Sequence, residues 1–295
     1  MMKIISEAMA MLQDMPFGRL ENEYTPCAPS EGDPVLCVRG REILIEKRED
    51  DTLFLPCVAQ VRKWSGSWEA WSDRSLRYGF RMDGKNYFLW MGESGEAEAP
   101  FGYVNARSLR QTISKDVCYA AMTAWHIYNW YRTSRFCGNC GAPTVHDETE
   151  RMVRCAKCGN SIYPRINPAV IVGVTDGDRL LLTKYAGRGY THYALIAGFT
   201  EIGETLEQTV QREVMEEVGL KVTNIRYYKS QPWGIDGNIL MGFYCDLLGD
   251  GTVRLDEREL ALAQWHRRDA LPAKDDGISL TREMIRVFGE GGEPK

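Results

Sequence analysis

No apolar run in this chain is longer than a β-strand. Runs such as Ala-Val-Ile-Val-Gly-Val at 169–174 fall far short of the ~20 residues that a membrane-spanning helix needs. The opening stretch, MMKIISEAMAMLQDM, has no basic n-region, and Glu7 interrupts its apolar residues, so a signal peptide is not expected. Net positive charge is missing too. With 36 Lys and Arg against 41 Asp and Glu the formal charge is −5, so the chain has no global attraction for polyanions, and nucleic-acid binding would need a local patch. Histidine is scarce, and His126, His192 and His266 each stand without a partner at ligand spacing, which reads as structural. These absences leave a soluble, cytoplasmic protein with no membrane association as the expectation.

Cysteine is plentiful instead. Of nine, Cys137, Cys140, Cys155 and Cys158 cluster, while Cys27, Cys37, Cys57, Cys118 and Cys245 are scattered. An odd total without a secretion signal argues against a disulfide framework, and the scattered five read as small buried hydrophobes.

The pattern of apolar residues divides the chain into four: a β-rich N-terminal domain at 1–107, a connecting helix at 108–132, a cysteine-bearing module at 133–164 and an α/β domain at 165–295. In the first, VLCVRGREILIEK and RYGFRMDGKNYFLWM read as hairpins turning at Arg39-Gly40 and Asp83-Gly84. KWSGSWEAW brings Trp64, Trp68 and Trp71 together, as a binding face or as aromatic packing, and packing is the expected reading. ESGEAEAPFG at 93–102 has the composition of a linker. The stretch 108–132 lacks Gly and Pro and repeats apolar residues at helical spacing. From 165 onward strand and helix signals alternate, ending in the helix ISLTREMIRVF, which predicts helices covering a sheet.

Cys-x-x-Cys, fourteen residues, then Cys-x-x-Cys is a ligand set for zinc. Four thiolates close a tetrahedron and leave no position for a reacting water, so such a Zn²⁺ folds a segment too small for its own core. A redox dithiol and a nucleic-acid-binding ribbon are the rival readings. Arg151, Arg154, Lys157 and Arg165 favour the latter, but Asp147, Glu148 and Glu150 interleave with them and argue against a phosphate-binding stripe.

The stretch GFTEIGETLEQTVQREVMEEVGL, 198–220, carries an apolar stripe of Leu206, Val210, Val214 and Val218 on a helix that Gly219 would cap. Glu213, Glu216 and Glu217 project together near its C-terminal end, where the dipole disfavours anions by about 0.3–1 kcal/mol each. Pairing of Arg212 with Glu216 accounts for part of this charge. A hard divalent cation such as Mg²⁺ or Mn²⁺, which prefers carboxylate oxygens and bridges to phosphates, would compensate the rest.

Gly198, Glu204, Arg212, Glu213, Val214, Glu216, Glu217, Gly219 and Leu220 stand at the fixed spacings of the Nudix box, and the chain resembles that hydrolase superfamily. The resemblance implies an α/β/α sandwich that hydrolyses a nucleoside diphosphate linked to another moiety. It also implies that Glu213, Glu216 and Glu217 hold metal, with Glu217 or Glu216 helping to deprotonate the attacking water. Gly198, Glu204, Arg212 and Gly219 would shape and brace the loop and helix. The preceding zinc ribbon, YPRINPAVI at 163–171 and SQPW at 230–233 are similar to the NADH pyrophosphatase (NAD⁺ diphosphatase) branch. That branch implies NAD(H) as substrate, nicotinamide mononucleotide and AMP as products, and a homodimer. By the same resemblance Glu259 joins the metal site, and Tyr163, Phe199, Gln231 and Trp233 contact substrate. After Trp233 the chain departs from the branch's proline-rich continuation, with GIDGN at 234–238. ADP-ribose, another dinucleotide and NAD-capped RNA therefore stand as alternative substrates. A regulator built on a retired catalytic domain is a further alternative, but it would be expected to lose box carboxylates, and here all are present.

Overall fold

The computed structural model of the protein describes residues 12–14, 20–68, 75–111, 114–187, 192–272 and 277–295. The chain gathers into two compact units. One is Asp14–Arg165 with Gly234–Gly237, and the other holds Ile166–Trp233 and Asn238–Lys295 with the described residues up to Gln13.

The N-terminal unit begins with β1 (Leu20–Glu21), β2 (Val35–Leu36), β3 (Val38–Arg39), β4 (Glu42–Lys47) and β5 (Leu53–Phe54). The helix α1 (Val58–Trp68) follows, then β6 (Leu76–Met82), β7 (Lys85–Trp90) and β8 (Phe101–Asn105). Two four-stranded sheets result, one ordered β1-β6-β7-β2 and the other β3-β4-β5 with β8 also on β4. Both expected hairpins form. β6 and β7 turn at Asp83-Gly84, whose φ values of 49° and 75° are the left-handed pair that a tight hairpin requires, and β3 and β4 turn at Gly40, with Arg39 opposite Glu42.

Trp64 of the tryptophan patch packs as expected: it sits on α1 with its ring buried edge-on against Phe101 at 5.2 Å. The side chain of Trp68 and the whole of Trp71 lie outside the described residues. The connecting helix, by contrast, starts later than its apolar spacing predicts. Ala106–Gln111 is a 3₁₀ turn, and α2 runs Lys115–Thr133. Ser114, at the N-cap, accepts on its hydroxyl oxygen from the Leu53 amide at 2.9 Å rather than from its own helix, so a contact distant in sequence marks the start. The linker-like segment is held down as well, Glu96 pairing with Arg39 and Glu98 with Lys63.

The ribbon follows as a three-stranded sheet, β9 (Thr144–His146), β10 (Val153–Cys155) and β11 (Ser161–Ile162), ordered β11-β10-β9.

The C-terminal unit contains β12 (Asn167–Asp176), β13 (Arg179–Tyr185), β14 (Ile196–Phe199), α3 (Leu206–Val218), β15 (Lys221–Trp233), β16 (Asn238–Leu248), β17 (Leu260–Arg267) and α4 (Leu280–Gly289). Its six-stranded sheet is ordered β15-β16-β12-β13-β17, with β14 also on β12 and β16 parallel to β12. Successive side chains of a strand face opposite ways. Val170, Val172 and Val174 therefore pack beneath Val210, Val214 and Val218 of α3, while Ile171 joins Leu280, Met284, Ile285 and Phe288 of α4. The sheet is sandwiched between the two helices, the expected α/β/α arrangement. Among the described residues no helix is long and apolar enough to cross a membrane.

Candidate active site

The loop and helix at 198–219 are fixed locally before any chemistry is considered. Thr205 caps α3 reciprocally with Gln208, its hydroxyl accepting from the Gln208 amide at 3.2 Å and its own amide donating to Gln208 Oε1 at 2.8 Å. Gly219 closes the helix in the left-handed conformation, φ 68°. The apolar stripe then anchors α3 to the sheet, and that orientation carries Glu213 and Glu217 inward, to 9% and 3% exposure. Glu216 stays outside.

Arg212 braces the loop. Its Nε and Nη2 meet the two oxygens of Glu204 at 2.6 and 2.9 Å, and Nη2 also donates to the Phe199 carbonyl at 2.8 Å. Glu204 accepts further from the Glu201 amide and the Thr209 hydroxyl. The guanidinium bond holds the Glu204 carboxyl down at about 2, so it stays an anion throughout the physiological range. Arg212 Nη1 reaches Glu213 at 2.8 Å and Glu216 at 3.0 Å. The ordinary i, i+4 pair is thus present, and one guanidinium serves three glutamates.

A second segment joins them. The Arg254 amide donates to the Val218 carbonyl at 2.8 Å and the Asp256 amide to the Glu217 carbonyl at 2.9 Å, which lays 254–260 along the end of α3. Glu259 is thereby brought close enough to act on Glu213, whose pKa is raised by burial first and by the charges of Glu216 and Glu259 besides. Glu213 and Glu216 thus share Arg212 with Glu204, while Glu217 lies buried one turn on from Glu213 and Glu259 acts on Glu213 from the segment beside it.

Gly198, on β14 opposite Val170, is required by close approach: a Cβ there would lie 1.9 Å from the Glu213 carboxyl carbon. The residues suit a hard divalent cation by donor chemistry, all oxygen and net anionic, and by this glycine-floored cradle. The arrangement is open. Among the described residues, only the cysteines form a group whose ligand atoms all lie within 4.8 Å of one another. We expect Gly198→Ala to push the Glu213 carboxylate aside, lowering turnover at least tenfold while the melting temperature moves by a few degrees. Steady-state kinetics beside a thermal melt would check this, and unchanged turnover would contradict the cradle.

The residues expected to contact substrate are dispersed. Phe199 exposes its ring at 55%, and Trp233 ends β15, half-buried. Tyr163 lies in the N-terminal unit, exposed, with its hydroxyl donating to Glu150 at 2.9 Å. Gln231 is corrected: it is 1% exposed, and its amide is already engaged, donating to the Ile278 carbonyl at 2.6 Å and to Gln13 Oε1 at 3.3 Å and accepting from the Leu280 amide at 3.0 Å. It supplies an acceptor to the first turn of α4, where Ser279 makes no side-chain cap. Nothing in the local sequence signals this, because the partner is 49 residues away.

The four cysteines form two matching knuckles. Gly141 donates to the Cys137 carbonyl at 2.8 Å and Gly159 to the Cys155 carbonyl at 2.9 Å. The sulfurs of Cys137 and Cys158 lie 3.6 Å apart and those of Cys140 and Cys155 3.5 Å apart. A tetrahedron of ~2.3 Å zinc–sulfur bonds has edges of about 3.8 Å. The Asn139 and Cys140 amides lower the Cys137 thiol to about 6, favouring the thiolate that a metal binds.

A Nudix domain model matches residues 165–288, and a model described as the NADH pyrophosphatase zinc ribbon domain matches 132–163. Fold, box and site together are those of a pyrophosphohydrolase. The chain is 36% identical over 198 residues to the NAD-capped RNA hydrolase NudC of Klebsiella pneumoniae strain 342, covering 66% of this chain and 77% of that one. It is 37% identical over 211 residues to the protein of the same name from Haemophilus influenzae strain PittEE, covering 69% and 77%. A crystal structure of a Nudix hydrolase from Nitrosomonas europaea superposes on 54% of this chain and 94% of its own, with a TM-score of 0.47 and 26% identity. The chain belongs to the NADH pyrophosphatase family of Nudix hydrolases, in which a zinc ribbon precedes the catalytic domain.

Proposed function

We propose that the protein hydrolyses the pyrophosphate bond of NAD(H), releasing nicotinamide mononucleotide and AMP. The observation that carries this is the gathering of Glu213, Glu216 and Glu217 on the C-terminal half of α3, with the segment 254–260 laid along its end so that Glu259 acts on Glu213. These four would hold Mg²⁺ or Mn²⁺, which when bound supplies charge neutralisation at the pyrophosphate and acidifies a coordinated water. Glu217, buried at 3% exposure near the end of α3, is the group assigned to take a proton from the attacking water, with Glu216 the alternative. Burial favours the protonated form of Glu213, and a cation beside it would restore the anion. Arg212 and Glu204 orient the loop and take no part in proton transfer. Zn²⁺ on the four cysteines is structural in this reading, and the homodimer rests on the family resemblance alone.

A second reading, an NAD-linked 5′ end of RNA as substrate, is favoured by the names of the relatives and by the altered loop. In place of a proline-rich segment, Gly234 lies against the Met122 carbonyl, where a Cβ would come within 2.2 Å, and Trp125 donates to the Ile235 carbonyl at 3.3 Å. Asp236 pairs with Arg107. The loop is therefore clamped to α2, and its one acid is already engaged.

Product release from NADH, NAD⁺, ADP-ribose and NAD-capped RNA at equal concentration, with and without Mg²⁺, tests both readings. We expect NADH or the capped RNA to be cleaved at least tenfold faster than ADP-ribose, and cleavage to stop in EDTA. A clear preference for ADP-ribose would overturn the assignment.

A further inference from the structure

The N-terminal unit contains a cavity of about 1050 Å³ that the reaction does not use. Arg39, Arg77, Arg132 and Arg135 line it, with Tyr128 and Phe136 among the other residues of its wall, and Glu93 is its one carboxylate. Arg132 stands exposed in the last turn of α2, and Arg135 stands exposed just beyond its C-cap, Ser134. Among the described residues neither is paired with a carboxylate, unlike Arg39, which meets Glu96 and Glu42. The charge of Arg77 is felt inside: with burial as the main cause, it lowers the pKa of His146 to about 4, so that ring is neutral at pH 7. His146 Nδ1 is buried and has no hydrogen-bond partner among the described residues. Phe136, at the same wall, exposes 59% of its surface.

We propose that this cavity binds a single-stranded RNA segment, its arginines on the phosphates and Phe136 stacking a base. The volume is at the upper end of the usual ~300–1,000 Å³ range for a small-ligand pocket, room for more than one nucleotide. Four arginines against one carboxylate, with an exposed aromatic ring on the same wall, is the combination of cation and stacking surface that a single strand uses. Exposed guanidinium groups lose little hydration on meeting phosphate. The source is the body of a capped RNA, so the inference rests on the second substrate reading. Hydrolysis of free NADH does not require the cavity.

The test is fluorescence anisotropy with a labelled ten-nucleotide single-stranded RNA bearing a 5′-hydroxyl, titrated with the full chain over a range of salt. R132A/R135A is expected to weaken binding at least tenfold. It should also flatten the log–log salt dependence by about 1.4, two contacts at ~0.7 each for a single strand. R132K/R135K should keep most of the slope, and K47A/R48A, which removes the same charge from another face, should bind as the unaltered protein does. NADH turnover should be unchanged in all three variants, which reports on the catalytic site separately. Absence of RNA binding by the unaltered protein, an unchanged slope in R132A/R135A, or an equal loss in K47A/R48A would overturn the proposal.

Discussion

Replacing Glu217 with glutamine leaves the fold intact and lowers NADH turnover by roughly two to four orders of magnitude, the range for loss of a positioned general base. The side chain is 3% exposed, so an isosteric amide preserves its packing and removes only the charge. The carbonyl of the same residue holds the Asp256 amide at 2.9 Å and is untouched by the change, so the segment bearing Glu259 stays in place. Loss of a metal-holding anion predicts a second signature: a weaker apparent affinity for Mn²⁺, measurable by paramagnetic relaxation of water protons. Glu204→Gln should behave differently, because that carboxylate braces Arg212. Near-normal turnover in Glu217→Gln, with Mn²⁺ binding retained, would remove the basis of the metal assignment.

Substituting Cys155 with serine should abolish zinc retention and unfold the ribbon. Cys155 ends the central strand β10, is 1% exposed, and its amide and carbonyl bond to Asn160 and Gly159 at 2.9 Å each. The sheet around it has strands of only two or three residues, too little apolar surface to order the segment. Binding of zinc to such sites releases about 10–16 kcal/mol at neutral pH, and that energy is folding energy. Zinc content by mass spectrometry should fall from one equivalent per chain to none, and amide protection over 137–162 should disappear. A variant that keeps one equivalent and an unchanged melt would show that the metal is held elsewhere.

How much of this was legible beforehand follows from the range of each interaction. The box was readable because its parts lie within one loop and one helix. Glu204 reaches Arg212 across eight positions, and Arg212 reaches Glu216 across four. The stripe Val210, Val214 and Val218 announces its buried face by spacing alone. Glu259 was named only through a resemblance, since nothing local says that 254–260 will lie along α3. The role of Gln231 is not legible in its neighbours, because its bonding partners Ile278 and Leu280 lie at the start of another helix, 47 and 49 positions away. The late start of α2 escaped for the same reason, with Ser114 engaged by Leu53 across 61 positions.

The amino-acid sequence by itself determined the Nudix box, its glutamate cluster and the cysteine knuckles, because turn and helix geometry map short spacings directly onto distances. Only the tertiary structure decided that 254–260 lies along the end of α3, what Gln231 holds, and that Arg39, Arg77, Arg132 and Arg135 face one cavity. Those residues are brought together by the sheets and the packing of α2, and chain separations of tens of residues carry no distance until the core has formed.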